Sequence, residues 1–169
     1  MTVSARTAQV GNAADRLGPA GSAALSTDFL NRFNEALMLI EIAAMDETIV
    51  EDLRNWTNVG YREHFQSSSL RCAGSALAAY DNLVPHRRAA FEDTCSAMAR
   101  LIRTMTDILC EKPLRDDLPE ITAVASDALR KLISRSTQFI NANGTIDLSA
   151  LPDRTLQAEI DALIAYGSA

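Results

Sequence analysis

The stretch Pro85 to Lys112, PHRRAAFEDTCSAMARLIRTMTDILCEK, carries the clearest helical pattern in the chain. Side chains of one face recur at alternating steps of three and four residues, at Phe91, Thr94, Met98, Leu101, Met105 and Ile108. Cys95, Ile102 and Leu109 widen this stripe by one row. Because a band this wide is typical of a helix packed inside a globular bundle, the stretch predicts one long core helix that Pro113 ends.

The composition of the whole chain favours helices as its regular elements. Of the 169 residues, 47% are hydrophobic and only 5% are aromatic, and no segment alternates with a period of two over a useful length. A chain of this length buries a sizeable core. We therefore expect an all-α fold, namely a mostly antiparallel four-helix bundle with a short extra C-terminal helix and a flexible N-terminal arm.

Turn signals and composition divide the chain into three parts. Residues 1–25 are rich in Ala, Gly, Ser and Thr and hold little that could be buried, which predicts the flexible arm. The alternative is an organelle transit peptide, which Arg6 and Arg16 beside the single acid Asp15 resemble. Residues 26–143 carry the long apolar stripes and are predicted to form the bundle. Residues 144–169 are predicted to be a C-terminal extension with one short helix, which either covers the bundle or meets a second copy.

The remaining helix ends are predicted from capping residues and helix breakers. The first helix is expected to begin at Ser26–Asp28, because each of these residues can cap, and either to run on or to bend near Asp46. The second is predicted as one helix over 61–82. The fourth is expected to stop at Asn143–Gly144, and the last near Tyr166.

Charge and hydropathy narrow the classes of partner. A net charge of −6 argues against a nucleic-acid binder, which usually presents a basic face. The most apolar window, Ala36 to Met45, is too short to span a membrane and contains Glu41. We therefore expect no nucleic acid and no membrane, but a protein partner or a second copy of the chain.

The spacing of cysteine and histidine bears on compartment and chemistry. Cys72, Cys95 and Cys110 are odd in number and lie on predicted helices, which indicates reduced thiols in a cytoplasm. No cysteine pair has the spacing of zinc ligands, and His64 and His86 stand apart. The sequence thus predicts no metal, no cofactor and no enzyme. The almost exclusive use of arginine for positive charge indicates a GC-rich bacterial genome.

The first candidate site is the cationic start of the long helix, formed by His86, Arg87 and Arg88. Free backbone N–H groups at a helix start attract anions, and adjacent arginines strengthen such a site. An acidic partner or a phosphorylated ligand would fit there. The alternative is a solvated group of charges, since Glu92 and Asp93 lie one turn later.

The second candidate is the run of small residues within SSSLRCAGSALAA, residues 67–79. Small side chains let another backbone approach closely, and a glycine inside a helix costs about 1 kcal/mol relative to alanine. Two interpretations of these small side chains stay possible. One is tight packing against the Pro85 helix, and the other is a shallow groove for a partner helix or a ligand. The residues of this predicted face are Ser68, Ser69, Cys72, Ala73, Gly74 and Ala76.

The third candidate is His64, near the start of the predicted second helix. Its surroundings resemble, over about ten residues, those of the active histidine in histidine phosphotransfer domains, which are four-helix bundles of similar size. The small residues that follow the histidine in that family are present here as Ser67–Ser69. The family's lysine and glycine are absent, and Phe65 follows directly. The resemblance implies an exposed histidine that receives a phosphoryl group.

These features predict a non-enzymatic cytoplasmic adaptor or regulator that acts through protein–protein interaction, with a homodimer as the expected assembly. Its candidate surfaces are His86–Arg88, the small-residue face and the acidic first helix. Two alternatives stay open, phosphotransfer through His64 and binding of a small molecule between helices against residues 67–79. The first requires an exposed histidine, and the second requires a cavity of roughly several hundred cubic ångströms.

Overall fold

A computed structural model describes residues 22–111, 114, 116–150 and 154–166 of the chain. The regular structure of these residues is entirely helical, which confirms the all-α prediction. Its α-helices are α1 (Asn31–Ala43), α2 (Val50–Asn55), α3 (Tyr61–Gln66), α4 (Ala73–Asp81), α5 (Pro85–Cys110), α6 (Leu118–Asn141) and α7 (Arg154–Tyr166). Short 3-10 turns occur at Thr27–Leu30, Glu47–Ile49 and Leu148–Ala150. Within the described ranges, no helix is long and apolar enough to cross a membrane.

Helix α5 lies at the centre of the fold and contacts α1, α2, α6 and α7. Pro85 occupies its first turn, where a missing N–H costs nothing. Its predicted band is buried except at Thr94 and Cys95, which are half-buried, and Met98, Leu101 and Met105 are fully enclosed. The long core helix is therefore confirmed, and it ends at Cys110.

Helix α6 ends where the Asn-Gly pair predicted a stop. The N–H of Gly144 donates to the carbonyl of Phe139 at 2.9 Å, and the N–H of Asn143 donates to that of Ile140 at 2.8 Å. Asn143 and Gly144 both have positive φ angles, of 48° and 74°. This is a Schellman closure, in which a left-handed residue turns the chain back and satisfies the last carbonyls.

The single helix predicted over residues 61–82 is wrong. Helix α3 stops at Gln66, and α4 starts only at Ala73. Between them the Ser67 hydroxyl donates to the carbonyl of Glu63, and the Ser68 hydroxyl accepts from the N–H of Leu70. Serine side chains compete with the helix for backbone groups, so three serines in a row interrupt it. The outcome is two short helices that pack on each other.

The first helical segment bends at Asp46, one of the two predicted outcomes. Ser26 caps the opening turn by accepting from the N–H of Asp28 at 3.3 Å. After α1 ends, Asp46 caps the turn before α2 by accepting from the N–H of Thr48 at 3.0 Å. Each cap satisfies a backbone donor that the helix leaves free.

Both ends of the described chain pack on the helices. The N–H of Leu25 donates to the Asn143 side chain at 2.9 Å, and that side chain donates to the carbonyl of Ala23 at 3.1 Å. The sequence predicts a flexible arm over residues 1–25, but these hydrogen bonds fix residues 23–25 in the structure. Residues 1–21 lie outside the described part of the chain. Helix α7 packs on α5 and α6, so the predicted terminal helix covers the core.

Replacement of Gly144 by alanine is expected to destabilise the fold by about 2 kcal/mol, because the left-handed backbone disfavours a Cβ atom. That Cβ would also clash with Cδ2 of Leu83, which must move. Gly74→Ala is the matched control, since a Cβ there meets nothing within 4 Å. It should stabilise α4 by up to about 1 kcal/mol. Urea unfolding measures both variants, and equal midpoints would contradict this account of the turn.

Candidate functional site

His64 is half-buried and hydrogen-bonded. Its Nε2 atom lies 3.1 Å from Oδ2 of Asp28, and the side chain is 23% exposed. The ring packs edge-on against Phe29 and Phe65, at centroid distances of 5.7 and 4.7 Å. The residue thereby ties α3 to the opening 3-10 turn. A phosphoryl group at Nε2 would have to displace a carboxylate and approach its negative charge, so this geometry lends the phosphotransfer alternative no support.

The cations at the start of α5 are partly engaged inside the molecule. Arg87 donates to the carbonyl of Gly144 at 3.4 Å and so braces the end of α6. The Arg88 guanidinium lies 5.9 Å from the centre of the Tyr80 ring. His86 is exposed. Nearby, a hydrogen bond from Ser149 holds the pKa of Asp147 below its ordinary value, with His86 and Arg87 adding to the effect.

Tyr80 explains why Arg88 turns inward. Its ring stacks on Tyr61 with centroids 4.9 Å apart, and its hydroxyl donates to Glu92. Burial raises the pKa of Tyr80, and the Glu92 bond adds to that shift. Arg62 lies over the same ring and pairs with Asp81. Helices α3, α4 and α5 thus meet at one tyrosine, which gives the two neighbouring arginines a structural role.

The predicted small-residue face is divided in the structure. Ala73 and Ala76 are buried in the core. The expectation of a packing role for Gly74 is wrong, because it is exposed and nothing lies near its Cβ position. Ser68 and Ser69 precede the helix and belong to the interruption between α3 and α4.

All three cysteines are free thiols in different surroundings. Burial raises the pKa of the Cys95 thiol to about 12, with Glu92 as the smaller cause. The Cys110 sulfur accepts from Nε of Arg54 at 3.1 Å, and the Cys72 sulfur lies 3.7 Å from the Ser26 hydroxyl. Within the residues that the structure places, no group of three or more His, Cys, Asp or Glu side chains could hold a metal ion.

A cleft of about 530 Å³, here called the α1–α2 cleft, is lined by residues of α1, of α2 and of the turn that follows α2. Its lining residues are Arg32, Glu35, Leu39, Asp52, Asn55, Trp56 and Thr57. The indole N–H of Trp56 donates to the carbonyl of Arg32 at 3.1 Å, and the Arg32 guanidinium donates back to the carbonyl of Thr57. Desolvation lowers the pKa of Arg32. The cleft therefore combines an ordered aromatic wall with two carboxylates.

A second opening, here called the α6–α7 groove, has a volume of about 340 Å³ and a more apolar floor. Its floor residues are Ile121, Val124, Ala162, Leu163 and Tyr166, and its carboxylates are Asp117, Glu120 and Glu159. Val124 is 41% exposed and Tyr166 is 40% exposed, although both are large apolar side chains. At one end the Tyr166 hydroxyl donates to Asp117.

The α6–α7 groove was not predicted from the sequence. The sequence places Tyr166 only at the end of the last predicted helix, and Val124 lies beside the buried residues of α6 rather than among them. The sequence contains one signal for this groove, namely the apolar residue Val124 on an otherwise polar face of α6 that also carries Glu120. A lone exposed valine is common on protein surfaces, so this signal alone identifies no site.

Comparisons of the chain with protein-family models, with curated proteins and with solved structures found no match. The assignment of a function therefore depends on the geometry and chemistry of these surfaces.

Alkylation of the three thiols should distinguish their surroundings. At pH 8 a thiol with a pKa of about 12 carries about a thousandfold less thiolate than one with the ordinary value of 9.0. We expect iodoacetamide to modify Cys95 of the native protein far more slowly than Cys110. In urea all three rates should converge. Peptide mass spectrometry reads each site, and rapid native labelling of Cys95 would show that this thiol is not buried in solution.

Proposed function

We propose that this protein is a non-enzymatic adaptor that binds a protein partner in the α6–α7 groove. The observation that carries the proposal is an open groove with an apolar floor and carboxylates around it. Contiguous exposed apolar surface with a polar rim is typical of interaction sites. In this proposal the protein is bacterial and cytoplasmic, as its composition and cysteines predict.

The proposed scaffold is the mostly antiparallel four-helix bundle expected from the sequence. Its members would be α1, the α3–α4 pair, α5 and α6. Mutual contacts of α1, α5 and α6 support this arrangement, and α7 then lies against α5 and α6 as the extra C-terminal helix. A scaffold of this kind leaves outer helix faces free for partners.

The adaptor proposal favours the α6–α7 groove over the surfaces predicted from the sequence. Arg87 and Arg88 contact Gly144 and Tyr80 inside the molecule, and the buried alanines of α4 face the core. In the groove, by contrast, Val124 and Tyr166 expose apolar area to solvent. Covering such area is worth about 25 cal/mol per Å².

Steric blocking of the α6–α7 groove tests the adaptor proposal without regard to the partner's charge. Ala162 is exposed and lines the groove, so Ala162→Trp should fill it and abolish partner capture from a lysate of the source cells. Ala78 is exposed on α4 and is not among the lining residues, so Ala78→Trp is the matched control. Quantitative mass spectrometry compares the proteins retained by wild type and both variants.

Equal capture by the two tryptophan variants would rule out the α6–α7 groove as the working surface. Light scattering on the purified wild type and its variants tests the expected homodimer. If the groove joins two copies, wild type and Ala78→Trp should be dimeric and Ala162→Trp monomeric.

The α1–α2 cleft supports a second candidate function, the binding of a small organic cation. Its volume of about 530 Å³ falls within the range of small-molecule sites. Glu35 and Asp52 offer two carboxylates against the guanidinium of Arg32. That guanidinium lies 5.7 Å from the centre of the Trp56 ring, and Leu39 offers apolar contact. This cleft differs from the predicted one, which was placed against residues 67–79.

Fluorescence offers a direct test of this second function, because Trp56 is the one tryptophan of the chain. Titration with aliphatic and aromatic amines should change its emission in a saturable manner. Asp52→Asn should weaken binding about threefold to tenfold, since a hydrogen-bonded ion pair is lost, whereas Glu120→Gln in the other groove should not. A flat response to every amine would count against a cation site.

A further inference from the structure

We propose that the occupant of the α6–α7 groove is a basic amphipathic helix of a partner protein. This inference rests on the adaptor function proposed above and adds the chemistry of the partner. Two observations support it. The apolar residues of the floor have the spacing of side chains on one face of a helix, and the described charged residues around the floor are acidic.

The floor of the groove suits a helix laid against two others. On α6, Ile121 and Val124 lie one turn apart, and on α7 Leu163 and Tyr166 lie one turn apart. Residues three or four apart on a helix share a face, so each wall presents a short apolar ridge. An incoming helix with apolar side chains at i, i+3, i+4 and i+7 places its own ridge between these two.

The charge around the floor selects the partner's flanks. Asp117, Glu120 and Glu159 line the groove, and the described lining contains no lysine or arginine. Among the described residues, Lys131 is a cation near the groove, and its ammonium lies 2.7 Å from Asp127 and 3.8 Å from Glu159. The described rim therefore carries three carboxylates, one of which shares the ammonium of Lys131 with Asp127. Lysine or arginine beside the apolar ridge of a partner complements that rim.

Other occupants fit this surface less well. Phosphate-bearing surfaces, such as an anionic lipid headgroup or a nucleic acid, would face carboxylates of the same sign. A second copy placed by a two-fold axis would bring the same carboxylates against each other. The chain also carries a net charge of −6, which adds to repulsion between copies. A positively charged partner of another sequence removes this conflict.

The test uses two synthetic peptides of about 18 residues, long enough to form a helix. Both carry leucine at i, i+3, i+4 and i+7 on a background of alanine and glutamine, and four positions beside the leucines are lysine in one peptide and glutamate in the other. Fluorescence anisotropy of labelled peptides measures affinity for wild type, Ala162→Trp, Glu120→Lys and Asp93→Lys. Asp93 is an exposed acid on α5 outside the groove, so its variant matches the charge change of Glu120→Lys.

We expect the lysine peptide to bind wild type at least tenfold more tightly than the glutamate peptide. Ala162→Trp should weaken its binding at least tenfold, and Glu120→Lys should weaken it about fivefold. Asp93→Lys should change binding less than twofold at physiological salt, where charges further apart than about 8 Å are screened.

Three results would overturn the inference: equal affinity for both peptides, equal losses in Glu120→Lys and Asp93→Lys, or no binding of the lysine peptide. In each case the capture experiment with Ala162→Trp still decides whether the groove binds a partner of other chemistry. Unchanged binding of the lysine peptide to Ala162→Trp would instead show that a basic helix binds elsewhere on the acidic surface.

Discussion

The ring of Phe91 on α5 packs against aromatic side chains of three other segments and so joins them in one core. Its ring stacks on Phe139 of α6 with centroids 5.0 Å apart, meets Tyr61 of α3 edge-on at 5.8 Å, and lies 6.2 Å from Phe29 of the opening turn. Such aromatic pairs contribute about 0.5–1.5 kcal/mol each beyond the burial of their area. A helix as short as α3 is unstable alone, so its position depends on this cluster.

The aromatic cluster also positions the nearby arginine side chains. Tyr61 stacks on Tyr80, and Tyr80 in turn holds Arg88 over its ring. The backbone carbonyl of Phe139 accepts the N–H of Gly144 in the turn that ends α6, and the carbonyl of that glycine accepts from Arg87. The arginines at the start of α5 therefore stabilise the joins between helices. A guanidinium engaged in this way is less available to an external anion.

Local signals predicted much of the fold. The apolar spacing of α5, the proline at its start and the Asn143–Gly144 stop of α6 each act within a few neighbouring residues, so the sequence reveals them. The interruption between α3 and α4 was missed, because apolar residues continue on both sides of it while the serines compete for backbone groups. Helical spacing alone does not register that competition.

The identity of the candidate site was a matter of tertiary structure. The sequence by itself determined that the chain is helical, which residues form the buried stripes, and that its charge is acidic. Only the packing of α7 against α6 places Leu163 and Tyr166 beside Val124 and creates a groove with carboxylates around it. Spacing along one helix shows which face is apolar. Whether that face is covered depends on residues far away in the chain, since burial is a property of the assembled surface.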